Sequence, residues 1–195
     1  ESRLLNRRAF PRTRVLHGLV VDDHFALSIG WGPTDPVHAE AAALLDAGAA
    51  AYHRHNLAAS TKKRVRGASC HKVVGAVLDG DRGELQVPWQ RTLALSVASL
   101  HLAVFGKATG RLLRQLLGMW VHALLFRRAL LALLGEAYRC LPDPLDDDLV
   151  MALPPPVRAE LLHLAFLAPF SFTNLRAQFA PSVLATDASN YGLGA

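Results

Sequence analysis

The chain has 195 residues, and 51% of them are hydrophobic, which is enough for a buried core and excludes a disordered tail. Lysine and arginine number 21 against 16 aspartates and glutamates, so the net charge of +5 and the isoelectric point of about 9.7 favour polyanionic partners such as nucleic acid. The two cysteines, Cys70 and Cys140, lie far apart without a zinc-ligand spacing, which is typical of a reducing compartment. No secretory signal is visible, so we expect an intracellular protein, cytoplasmic or nuclear, and interpret the sequence as a fragment.

The first predicted element is a hairpin that carries two adjacent aspartates. The segment VLHGLVVDDHFALSI, residues 15–29, is rich in β-branched and apolar residues on both sides of Asp22 and Asp23. Because aspartate tolerates turn geometry, the pattern places the pair at or near the tip of two short strands.

A helix and a second hairpin are predicted next. Pro36 is suited to the first helical position after Thr34 or Asp35, either of which can cap a helix that runs to about His55. Farther on, two apolar runs flank the aspartates and glycines of residues 79–83, which predicts a hairpin closed by a proline.

From Trp89 to Leu141 the apolar pattern becomes helical. Breakers at Gly106, Thr109 and Gly110 separate the first helix from the second, and the third is continuous with the second or kinked from it. The pattern therefore predicts a compact helical bundle.

The most apolar window of this bundle contains His122, Arg127 and Arg128. Because these residues interrupt any apolar span of about 20 residues, we predict buried helices and no membrane partner. Residues 143–180 have the composition of a linker with an acidic turn and a short helix, and SVLATDASNYGLGA predicts a strand that runs into Asp187.

Two carboxylates at a hairpin tip are costly unless a cation lies between them, because each raises the pKa of the other. Their hard oxygen atoms suit Mg²⁺ or Mn²⁺. In phosphoryl transfer, two such ions about 3.5–4 Å apart hold the attacking and leaving oxygens. A solvent-exposed turn is the alternative for an isolated pair, but the elements around this pair favour metal binding.

The order of these motifs resembles the latter part of a retroelement reverse transcriptase, most similar to DIRS-like and gypsy-like elements. LVVDDH is similar to the YxDD motif of the palm, HNLAASTKKRVRGASCHKVVGAVLDG to the next two palm segments, and VLATDASNYGLGA to the first strand of a ribonuclease H domain. The resemblance implies an α+β fold. Its parts would be a partial palm of antiparallel hairpins and one helix over 1–88, a helical thumb over 89–142, a connection over 143–180 and a truncated ribonuclease H domain over 181–195.

The resemblance also implies roles for individual residues. These are the catalytic, metal-binding aspartates Asp22 and Asp23; the ribonuclease H metal ligand Asp187; the nucleotide or phosphate contacts Lys62 and Lys63; the primer grip Val73, Val74 and Gly75; and the nucleic-acid backbone contacts Arg111, Arg114 and Arg127. Mg²⁺ or Mn²⁺ is the implied cofactor, and the implied partners are an RNA or DNA template–primer and deoxynucleotides. Nonspecific surface charge is the alternative for the lysines, and the oligomeric state is left open.

Two departures from the family pattern bear on function. Val20 stands where the family usually has an aromatic residue beside the nucleotide site. The first palm aspartate and the later ribonuclease H carboxylates are not in the sequence. We therefore expect two-metal nucleotidyl transfer in the full-length parent, an RNA-directed DNA polymerase of a retrotransposon, and no activity of this fragment alone.

Other interpretations stay open. A noncatalytic basic helical module that binds nucleic acid or protein would carry both aspartate motifs as surface turns, and a decayed element copy would fold only in part. His53 and His55 lack cysteine or acidic partners at a zinc spacing. The acidic run at 146–148 fits caps or solvated surface better than a cation site.

Overall fold

The computed structural model describes residues 12–20, 23–58, 60, 64–178, 187–189 and 192–194, with the backbone alone for Val20, Asp23 and the last two segments. The chain divides into two compact units, Glu1–Asp79 and Gly80–Ala195. The fold is α+β, with helices and small antiparallel sheets, which confirms the predicted class. The specific palm and thumb arrangement stays a prediction.

The first unit opens with the predicted hairpin. Strand β1 (Val15–Val20) pairs antiparallel with β2 (Asp23–Ser28), and the register sets Val20 opposite Asp23. Val15 and Val20 on β1 and Phe25 on β2 favour the extended backbone. Only residues 21 and 22 separate the last described pair, the spacing of a two-residue hairpin connection.

Helix α1 (Val37–Arg54) packs on this hairpin. It begins one residue after Pro36, within the usual uncertainty of a helix boundary, so the predicted helix is confirmed. Asp35 provides a hydrogen-bond acceptor for the first turn of the helix, because its Oδ1 atom accepts a hydrogen bond from the Val37 backbone N–H at 3.1 Å. The apolar core here is small and comprises Val15, Val37 and Ala41, with Ala26 and Leu44 packed against them.

A further hairpin of the first unit reverses at a strained turn. Strand β3 (Cys70–Val73) pairs antiparallel with β4 (Ala76–Asp79). The connecting residues Val74 and Gly75 both have positive φ, +49° and +84°. Glycine adopts such angles freely, but a β-branched residue rarely does, so Val74 carries local backbone strain.

The second unit is mainly helical. Its elements in chain order are β5 (Glu84–Gln86), α2 (Trp89–Phe105), β6 (Lys107–Thr109), α3 (Gly110–Leu124), a 3₁₀ helix (Leu125–Leu134), α4 (Gly135–Arg139), a 3₁₀ turn (Pro144–Asp146), β7 (Val150–Ala152), α5 (Pro155–Leu167), a 3₁₀ turn (Ala168–Phe170) and β8 (Phe172–Asn174). The predicted breakers act as expected: Gly106 ends α2 with φ +72°, and Thr109 Oγ1 caps α3 by accepting the Leu112 N–H at 3.2 Å. Of the two alternatives for the third helix, continuous with the second or kinked from it, the structure shows the kink, at Arg127, whose backbone angles are nonhelical.

Trp120 lies in the core of the second unit. Its side chain is fully buried, and the indole N–H donates to Ser99 Oγ at 2.8 Å, so both buried polar groups are satisfied. Helix α5 packs along α2 and buries Leu161 and Leu164 in the same core. The short helix predicted within residues 143–180 is therefore an integral part of the bundle.

Two strand pairs join distant segments of the second unit. Strand β5 pairs antiparallel with β8, and β6 pairs antiparallel with β7. Near the C-terminus, β9 (Asp187–Ser189) pairs with β10 (Gly192–Gly194). The apolar strand predicted before Asp187 lies outside the described residues.

One stretch of the described chain, Gly110–Arg139, is long and apolar enough to cross a membrane by length and composition, with a mean hydropathy of 1.5 over its most apolar 18-residue window. Core helices of soluble proteins meet the same criterion. In this stretch, 28% of the most apolar window is buried within the protein. The nonhelical backbone at Arg127 interrupts the stretch. This interruption favours two shorter helices over one continuous span, and the expected lack of a membrane partner stays a prediction.

Candidate functional site

The tip of the β1–β2 hairpin is the predicted metal site. The register places Asp23 at the end of the ladder, opposite Val20. Asp22 and the predicted phosphate contacts Lys62 and Lys63 lie outside the described residues, and for Asp187 the structure gives only its place at the start of β9. Among the side chains that the structure describes, no group of three or more His, Cys, Asp or Glu could hold a metal ion. The metal site thus rests on the hairpin register and the donor chemistry of the aspartates.

A histidine beside the aspartate pair is fixed by helix α1. The ring of His24 meets the ring of His17 edge-on, with 6.0 Å between centroids. Gly48 of α1 approaches so closely that a Cβ atom there would lie 2.4 Å from His24 Nδ1. Burial, and to a lesser extent the neighbouring imidazole, lower the pKa of His24 and favour its neutral form. The sequence signal for this contact is the glycine inside an alanine-rich helix.

The predicted primer grip coincides with the strained β3–β4 turn. Val73 ends β3, and Val74 and Gly75 make the reversal. The Val74 side chain is 57% exposed, so its strained backbone is not explained by burial of the side chain. Strained residues that persist without a packing reason are concentrated at binding and catalytic sites.

Two of the basic residues that precede β3, Arg64 and Arg66, lie against helix α1. The guanidinium of Arg66 contacts Asp46 Oδ1 at 2.7 Å and donates to the Ala42 carbonyl at 3.2 Å. Arg64 approaches the same carboxylate at 3.8 Å. Asp46 therefore offsets part of the positive charge that the sequence concentrates before β3.

Two of the three predicted backbone contacts in the helical unit are ion-paired within the chain. Arg114 contacts Asp147 Oδ1 at 2.9 Å and Oδ2 at 3.1 Å, and Arg111 contacts Asp148 Oδ2 at 2.8 Å. The hydrogen bond from Arg114 lowers the pKa of Asp147 and the same bond raises that of Arg114. The sequence predicted that residues 146–148 serve as caps or solvated surface. In the structure, Asp147 and Asp148 pair with these two arginines.

Arg127 differs from these two arginines. It lies at the kink after α3 next to Arg128, and both residues are exposed. Within the described part of the chain, neither has an ion pair. Arg127 is therefore the predicted backbone contact whose charge is available to a phosphate group.

An open groove of about 640 Å³ lies between α2 and α3. Its lining is mostly apolar and includes the exposed side chains of Trp89, Leu93, Val97, Leu112 and Met119. An adjoining hollow of about 400 Å³ is lined by Arg91, Gln115 and His122, and His122 Nδ1 is buried there without a hydrogen-bond partner among the described atoms. Neither helix contains an aspartate or glutamate.

No protein-family model matches the chain, and no curated protein or solved structure matches it significantly. Its function is therefore argued from the residues and their geometry.

Proposed function

We propose that this chain is the palm-to-thumb part of a retroelement RNA-directed DNA polymerase, in which Asp22 and Asp23 belong to the nucleotidyl-transfer site. The observation that carries the proposal is the register of the β1–β2 hairpin. Because Val20 pairs with Asp23, Asp23 lies at the end of an antiparallel ladder, and Asp22 directly precedes it in the sequence. Carboxylates concentrated there provide the hard oxygen donors that Mg²⁺ and Mn²⁺ prefer.

The order and contacts of the following elements support the same proposal. Helix α1 packs on the aspartate hairpin, the β3–β4 hairpin comes next, and a helical unit follows. In the proposal, the turn at Val74 and Gly75 contacts the primer strand. The exposed Arg127 contacts the phosphate backbone, an interaction that depends on salt and not on base sequence.

Mg²⁺ bound by the aspartates would polarise the α-phosphate of the incoming deoxynucleotide toward attack by the primer 3′ hydroxyl. Asp22 and Asp23 would hold the ion, and Lys62 or Lys63 would offset the nucleotide charge. His24 of β2 packs closely against Gly48 of α1. Because the family pattern requires a further carboxylate that is not among these residues, we expect this chain by itself to bind metal and duplex without extending a primer.

Metal binding tests the role of the aspartates. We expect Mn²⁺, titrated into the protein and followed by the electron paramagnetic resonance signal of the free ion, to bind about tenfold more weakly to Asp22→Asn and Asp23→Asn, because each variant loses an anionic ligand. Asp146→Asn is the matched control, since this exposed aspartate lies in the other unit. Equal Mn²⁺ affinity in all four proteins would contradict the metal site.

Duplex binding tests the role of the helical unit. The anisotropy of a labelled RNA–DNA template–primer should report binding, and Arg127→Gln should weaken it for all base sequences and reduce the slope of log K against log salt by about 0.9. Arg139→Gln is the matched control, because it removes the same positive charge from an exposed arginine that is not among the predicted backbone contacts. The absence of duplex binding by the unchanged chain would refute this part of the proposal.

A noncatalytic interaction module is the second candidate, and the apolar groove between α2 and α3 favours it. Grooves of this kind accept the apolar face of a partner helix. This candidate predicts no Mn²⁺ binding that depends on Asp22 and no duplex binding that depends on Arg127. The two titrations therefore distinguish it from the polymerase proposal.

A further inference from the structure

We propose that Asp148 competes with nucleic-acid phosphates for Arg111, so that the acidic segment 146–148 lowers the affinity of the helical unit for a duplex. The inference rests on the proposed function, because Arg111 contributes to phosphate binding only where this unit meets a polyanion. In the folded chain, the guanidinium of Arg111 is already paired with Asp148, and its Nη2 atom lies 2.8 Å from Asp148 Oδ2.

The two arginines of α3 differ in how easily a phosphate could replace their carboxylate. Asp147 is 17% exposed, bonds Arg114 through both oxygens, and shares this arginine with the Pro142 carbonyl at 3.0 Å. Gly110 packs so tightly against this pair that a Cβ atom there would lie 2.7 Å from Asp147 Oδ1. The pair between Arg114 and Asp147 is therefore a structural contact of the fold, and a phosphate could not easily replace its carboxylate.

The pair between Arg111 and Asp148 is open to solvent. The two side chains are 62% and 76% exposed, and one hydrogen bond connects them. An exposed pair of this kind contributes little to folding stability and exchanges readily. The side chain of Arg111 can turn to a phosphate while the start of α3 stays in place, because the Arg111 backbone N–H remains hydrogen-bonded to the Asp147 carbonyl at 2.9 Å.

The chemistry of the groups makes the competition direct. Carboxylate and phosphate oxygens accept the same hydrogen bonds from a guanidinium group. One arginine therefore cannot donate its full set of hydrogen bonds to both groups at once. A duplex phosphate has the additional advantage of counterion release, which is large at low salt and small at high salt. The gain in duplex affinity from releasing Arg111 from Asp148 should therefore be largest at low salt.

A pair of matched variants tests the proposal. Asp148→Asn and Asp146→Asn each remove one negative charge from the same segment, but of these two aspartates only Asp148 is paired with an arginine within the described part of the chain. We expect Asp148→Asn to bind a primed RNA–DNA duplex about two- to fivefold more tightly than Asp146→Asn, which is the range that an exposed ion pair can supply. Its salt slope should be steeper by about 0.9, the contribution of one more phosphate contact. Arg111→Gln should abolish the difference between the two variants.

Heparin chromatography separates this inference from the proposed function, because heparin is a polyanion without bases or a primer end. Asp148→Asn should elute at higher salt than Asp146→Asn, and the two should coincide when each carries Arg111→Gln. That result without any duplex binding would support the competition and refute the polymerase proposal. Equal elution of the two aspartate variants, or a difference that survives Arg111→Gln, would overturn the inference. Thermal unfolding at the same temperature in all variants, expected from the exposure of both side chains, excludes a folding defect.

Discussion

The hydrogen bond between Ser99 and Trp120 offers a quantitative test of the helical core. Both side chains are fully buried, and the donor and acceptor atoms lie 2.8 Å apart. Ser99→Ala removes the acceptor and leaves the indole N–H buried without a partner, which should cost about 1–3 kcal/mol in the free energy of unfolding. Trp120→Phe should cost more, because it also removes volume beside the fully buried Leu113 and Leu117.

Urea unfolding followed by far-ultraviolet circular dichroism measures these losses. The exposed Ser60 provides the control, and Ser60→Ala should change the free energy of unfolding by less than about 0.5 kcal/mol. The double variant of Ser99 and Trp120 should lose less stability than the sum of the single variants, with a coupling of about 0.5–3 kcal/mol. A loss for Ser99→Ala no larger than that of the control, or strict additivity, would refute the role of this bond.

Three further predictions concern the first unit. Gly48→Ala should destabilise it by about 1–3 kcal/mol in thermal unfolding, because the new Cβ would lie 2.4 Å from His24 Nδ1, and combination with His24→Ala should restore stability. The pKa of Asp35 is lowered to about 2, chiefly by the hydrogen bond from the Trp31 backbone N–H, below its unfolded value of 3.8. Its contribution to stability is therefore complete above about pH 4 and lost as the pH falls through about 2, and Asp35→Asn should unfold with less pH dependence over this range. Val74→Gly should raise the unfolding temperature, because glycine adopts a φ of +49° without steric cost; an unchanged temperature would argue against strain.

Elements with strong local signals could be predicted from the sequence. The aspartates between two apolar runs predicted the β1–β2 hairpin, and Pro36 predicted the start of α1 to within one residue. Gly106 and Thr109 likewise predicted where α2 ends and α3 begins. These signals are readable because a turn or a cap depends on the φ, ψ and hydrogen bonds of a few adjacent residues.

The reversal at Val74 and Gly75 was harder to predict from pattern. A valine at positive φ contradicts the preference of its own side chain, so local propensity favours a continuous strand there. The resemblance to a polymerase palm implied a hairpin at this position, and the structure confirms the hairpin without testing its role in primer binding.

By itself, the sequence determined that the chain is basic, α+β and helical in its second half, and it predicted two aspartates at or near the tip of a hairpin. Only the tertiary structure decided which distant segments meet, such as β5 with β8 and β6 with β7. Strands of three residues carry too little pattern to reveal their partners, and their pairing depends on the packing of the helices between them. The same holds for charge. In the sequence, Arg111 and Arg114 resemble free phosphate contacts. In the fold, Arg111 is paired with Asp148, 37 residues away, and Arg114 with Asp147, 33 residues away. A sequence shows which residues are charged, but the effective charge of an arginine depends on what the folded chain places beside it.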